Sequence, residues 1–110
     1  MIEVSIYKNA KSLITGFKVS GHAGFSKHGE DIVCAAVSVL VINTINSIEN
    51  FTSDKFTYDE DEKKGIIEFH VTSEVSNNGN LLMSSLALGL MRVEEEYGDK
   101  YIKLIQVKAQ

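Results

Sequence analysis

The chain has a single cysteine among 110 residues, so no disulfide can form within it. It also lacks an excess of positive charge. Eleven Lys and Arg stand against 15 Asp and Glu, a formal charge of -4, and the electrostatic footprint of a nucleic-acid-binding protein is missing. The opening residues MIEVSIYKNAKSLITG have no basic start, apolar run and small-residue cleavage site of a secretory leader. The longest nearly uncharged stretch, residues 32–48, is interrupted by Asn43, Thr44, Asn46 and Ser47 and falls short of the ~20 apolar residues of a membrane span. These absences lead us to expect a cytoplasmic protein with no direct nucleic-acid partner and no membrane anchor. No linker or convincing repeat interrupts the chain. With 44% hydrophobic and 24% charged residues it has ordinary globular composition, and residues 1–110 suffice for one core and one domain.

The apolar pattern changes period along the chain. Ile2, Val4 and Ile6 alternate with Glu3, Ser5 and Tyr7, which predicts a half-buried strand over 2–7. A turn at 9–11 leads to a second strand over 13–20, with Phe17 and Val19 on one face. If that strand continues, Lys18, Ser20 and His22 share the other face. Residues 31–50 contain no glycine or proline and carry apolar side chains at helical spacing, so we expect a helix there. Strands over 56–58 and 66–71 flank the charged run DEDEKKG, most simply a solvated hairpin turn. A second helix over 81–97, with a stripe of Leu82, Leu86, Leu90, Val93 and Tyr97, precedes a last strand over 101–107. The order ββαββαβ predicts an α+β fold, a mainly antiparallel sheet packed with two helices.

The chemistry-bearing residues gather in SGHAGFSKHGEDIVCAAVSVLV, residues 20–41. Cys34 sits behind a loop containing Gly21, Gly24 and Gly29, residues that tolerate positive φ and let a substrate backbone approach. A helix starting near residue 30 or 31 would put Cys34 in its first turn, where unpaired N–H groups and the dipole favour a thiolate. At 100° per residue Asp31, Cys34 and Ser38 fall on one face, which Val41 and Ile45 extend. A nucleophile with His22 as its imidazole is one use of this set. Packing is another, since cysteine is among the most buried residue types. Metal binding by His22, His28, Cys34 and Asp31 is a third, although the short paired spacings of common zinc sites are missing. Asp31 also reads as a helix cap, and Ser38 can simply bond back to the carbonyl of Cys34. His28 reads as a solvated loop residue and His70 as a partly exposed sheet residue.

The stretch GHAGFSKHGEDIVCAAVS, residues 21–38, resembles the signature of the ribosomal-processing cysteine protease family: Gly-His-Ala-Gly, a loop ending in Gly-x-Asp-x-Val-Cys, then Ala-Ala-Val-Ser. The length of the chain and the type of its second helix, LMSSLALGLMRVEEEY, are similar to that family as well. The resemblance implies a cytoplasmic endopeptidase that removes the N-terminal extension of a large-subunit ribosomal protein, the L27 protein of the 50S subunit. It implies a homodimer, no cofactor and no metal. Carried over by position, Cys34 is the nucleophile, His22 the general base, and Asp31 and Ser38 are supporting residues. First-turn N–H groups around Cys34 would then be oxyanion donors. The competing expectation is a non-enzymatic ribosome-associated binding module in which Cys34 is inert packing.

Overall fold

The elements follow as β1 (Ile2–Lys8), β2 (Ile14–Ser20), α1 (His28–Phe51), β3 (Phe56–Asp61), β4 (Ile66–Val71), α2 (Asn77–Tyr97) and β5 (Ile102–Lys108). They come from a computed structural model that describes residues 1–21 and 28–108, without the side chains of residues 28–31. The order ββαββαβ is the expected one, and the five strands form one sheet in the order β3-β4-β2-β1-β5. Three neighbouring pairs are antiparallel, and β5, reached by the α2 crossover, lies parallel to β1.

Alternation along the strands decides which side of the sheet is covered. Val4 pairs with Val19, Ile6 with Phe17 and Phe17 with Phe69, so these side chains share one face. Val33, Val37, Val41, Ile45 and Ile48 of α1 and Met83, Leu86 and Leu90 of α2 join them in one buried cluster. The Phe69 ring lies 5.1 Å from Phe17 and 4.9 Å from Phe56, centroid to centroid, within the range of favourable aromatic pairs. On the opposite face Glu68 lies 3.9 Å from the Lys18 Nζ and 3.2 Å from the His70 Nε2. His70 is thus a half-exposed sheet residue, as its strand position suggests.

Both helices begin earlier than periodicity indicates. Helix α1 starts at His28, and its Ile32–Phe51 portion is long and apolar enough to cross a membrane by length and composition, contrary to the shortfall expected from its polar residues. Here its inner stripe packs on the sheet, and its buried Thr44 hydroxyl donates to the Leu40 carbonyl at 2.7 Å. Helix α2 starts at Asn77 because Ser76 caps it, accepting the Gly79 N–H at 2.9 Å. Asp54, in the turn after α1, accepts the Ser76 N–H at 3.1 Å and its hydroxyl at 2.8 Å. A Cβ on Gly79 would collide with this carboxylate, so the glycine is what admits it. Asp54 thereby supplies an anion at a helix start whose own first turn has no acidic residue. Ser76→Ala is expected to cost about 1 kcal/mol of stability. Asp54→Ala should cost a similar amount, and unchanged urea midpoints for both variants would contradict the cap.

The charged run is also more ordered than a solvated turn. Strand β3 continues through Asp61, with Glu60 opposite Ile67 and Asp61 opposite Ile66, and only residues 62–65 form the turn. Tyr58 and Glu60 face the helix side of the sheet yet are exposed, since they lie at the uncovered β3 edge.

Candidate active site

A groove of about 290 Å³ opens between α1 and the sheet. Cys34 and Ser38 of α1 form one wall, Ile2, Val19 and Ile67 of the sheet contribute apolar surface, and Glu60, Asp61 and Glu62 of the β3–β4 hairpin form an acidic rim. Helical geometry explains the first wall. Val33 and Val37 are buried in the core, so Cys34 and Ser38, one residue further round, come to the margin of the buried stripe. Cys34 is a free, half-buried thiol packed against the core and Ser38 is exposed, while Val41 and Ile45 on the same face are buried. The expected division of this face, polar start in a cleft and apolar continuation in the core, holds.

Other expectations about the site change. The Ser38 hydroxyl has no hydrogen-bond partner among the described residues, whereas Thr44 and Thr52 each bond back to the carbonyl four residues earlier. The simple back-bonding reading of Ser38 therefore fails. Cys34 is the seventh residue of α1, beyond the four unpaired N–H groups of a helix start, so first-turn donors do not surround it. Gly29 belongs to α1 and not to a loop. Asp31 lies in the first turn, with its side chain outside the described set. His22 and Gly24 lie outside the described residues.

Gly21 follows the end of β2 at the groove. Its φ of 98° belongs to the left-handed region, a Cβ would run into the Met1 carbonyl, and its N–H donates to the Gly65 carbonyl at 3.1 Å. The strand stops at Ser20, so the alternation that would have assigned a face to His22 does not reach it. At the acidic rim the Tyr58 hydroxyl donates to Glu60 Oε1 at 2.6 Å. That hydrogen bond, with lesser help from burial and from the charges of Glu60 and Glu62, pushes the Tyr58 phenol up to about 12. Among the described residues no group of three His, Cys, Asp or Glu is placed to hold a metal, and His22, His28 and Asp31 of the metal reading are outside that test.

The acidic rim is the part of the site that linear reading missed. Its signal was the β-strand pairing of residues 59–61 with 66–68, hidden because Asp and Glu are poor strand formers.

The family model of the cysteine protease Prp matches residues 1–103. The chain is 33% identical over 101 residues to the ribosomal processing cysteine protease Prp of Staphylococcus aureus, covering 90% of this chain and 93% of that one. It is 28% identical over 103 residues to the Bacillus subtilis protein of the same name, covering 90% and 92%. The fold matches crystal structures of the S. aureus protease. With a covalently linked product peptide the TM-score is 0.87 at 28% identity, over 97% of this chain and 100% of the other. With a substrate peptide it is 0.89 at 27% identity, with the same coverage. With the order of elements, the single thiol in the groove and the match along nearly its whole length in agreement, the chain belongs to the cysteine protease Prp family, the family of the ribosomal processing cysteine proteases.

Proposed function

We propose that this protease removes the N-terminal extension of the L27 protein of the 50S subunit, with Cys34 as nucleophile and His22 as general base. The observation that carries this reading is the placement of the only thiol in the wall of an open groove, against apolar surface that can hold an extended peptide. His22 takes the Cys34 proton, and the thiolate adds to the scissile carbonyl carbon. The carbon–nitrogen bond breaks, and His22 returns the proton to the departing amine, the new N-terminus of the mature protein. The extension remains as a thioester on Cys34. Water, losing a proton to His22, then releases it as a carboxylate and restores the thiol.

Ser38 supports the step by offering a hydroxyl, unpartnered among the described residues, to the peptide or the developing anion. Asp31, in the first turn of α1, is the second supporting residue carried over by position. The enzyme works in the cytoplasm as a homodimer. The rival binding module leaves Cys34 as inert packing, whereas its place in the wall of an open groove favours a reactive role. Incubating purified extended L27 with the protein and an added chelator should yield mature L27 and one released peptide by mass spectrometry. L27 left intact by an equimolar amount of the folded protein would overturn the assignment.

A further inference from the structure

The groove is asymmetric. Its inner wall is the thiol and apolar surface, and its outer wall is formed by Glu60, Asp61 and Glu62 at the sheet edge, of which Glu60 turns its side chain to the helix side. Two lysines, Lys63 and Lys64, follow at once in the chain, yet among the described residues none of the three carboxylates is ion-paired. Lys64 approaches Asp61 only through its backbone N–H, at 3.1 Å. Glu60 accepts the Tyr58 hydroxyl on Oε1, which orients the carboxylate and leaves Oε2 open. A surface that keeps its own cations away from three carboxylates, in the same groove as the thiol, is built to receive a cation from outside.

We infer that the groove selects a peptide carrying a lysine or arginine just after the scissile bond, read by Glu60 and Glu62 of the hairpin. The inference rests on the proposed protease reading and adds the residue class that the site recognises and its position. Position follows from chemistry. A ribosomal protein neutralises RNA phosphates with Lys and Arg, so the retained chain, not the discarded extension, is the part that must be basic. With the scissile carbonyl at Cys34, cations on the mature side meet the acidic rim while the departing segment lies toward Ser38. There the groove adjoins a second, shallower one formed by Ser38, Val39, Ile42, Asn43 and Asn46 along α1, an apolar path without charge.

The test uses two peptides that differ only at the second and third residues after the cut, Lys-Lys in one and Glu-Glu in the other. Affinity is measured on Cys34→Ala by fluorescence anisotropy, and KM and kcat on the wild type. The Lys-Lys peptide should bind about tenfold tighter at low salt, the sum of two exposed ion pairs, with the difference in KM and not kcat. Added salt should shrink it. Glu60→Lys with Glu62→Lys should reverse the preference, and Glu60→Gln with Glu62→Gln, which keeps side-chain size, should abolish it. Lysines placed before the cut should gain nothing.

Equal affinities for the two peptides, a preference that survives neutralisation of Glu60 and Glu62, or a gain from lysines before the cut would each overturn the inference. Peptides cut with equal KM would do so while leaving the protease reading intact. A preference in binding without any cleavage by the wild type would do the reverse.

Discussion

Replacing Cys34 with alanine is expected to lower cleavage of extended L27 by more than about 10⁴-fold, the order of loss seen when a covalent nucleophile is removed. Fold and peptide affinity should barely change. Alanine is the best helix former, the site is the interior of α1, and the thiol is only half-buried, so little core contact is lost with the sulfur. The groove keeps its apolar floor and acidic rim, and the variant should still bind peptide. Circular dichroism, peptide binding and turnover measured together separate loss of chemistry from loss of structure. Cleavage within tenfold of wild type would remove Cys34 as nucleophile.

His22→Ala is expected to cut turnover by about 10²- to 10⁴-fold, the usual range for a lost general acid or base. Alkylation of Cys34 by iodoacetamide at neutral pH should fall by much less. Alkylation consumes a thiolate and nothing more, whereas peptide cleavage must also deliver a proton to an amine that leaves poorly without one. Parallel rates of alkylation and turnover therefore discriminate between roles: a large split is expected. Turnover unchanged in the variant would exclude His22 from the mechanism, and equal losses in both assays would reduce it to a group that only activates the thiol.

Much of the fold was legible because its strands alternate. Ile2, Val4 and Ile6 against Glu3 and Ser5 announce a sheet with one covered face, and that is how β1 sits. What alternation could not show was pairing partners, which is why the parallel β1–β5 contact emerged only in the structure. The starts of the helices were hidden by residues that locally favour loops. The SNNGN stretch, residues 76–80, carries no apolar period of its own, and its helical start shows only when Asp54, more than twenty residues earlier, is found holding the Ser76 cap. Gly79, a poor helix former, is retained there for the space it leaves.

The site divides in the same way. Cys34 and Ser38 could be placed on one helix face from spacing alone, because helix periodicity is a local property. The acidic rim could not, because Glu60–Glu62 meet Cys34 only after β3 pairs with β4 and β4 with β2. A run of charge that looks like solvated surface in one dimension becomes a groove wall in three.

The most direct test of the central claim is to stop the reaction with acid during turnover and weigh the intact enzyme. The expected result is a population heavier by the mass of the L27 extension less one water, with the added acyl group mapped by fragmentation to Cys34. An acyl group on any other residue, or undiminished cleavage after Cys34 has been fully alkylated, would contradict it.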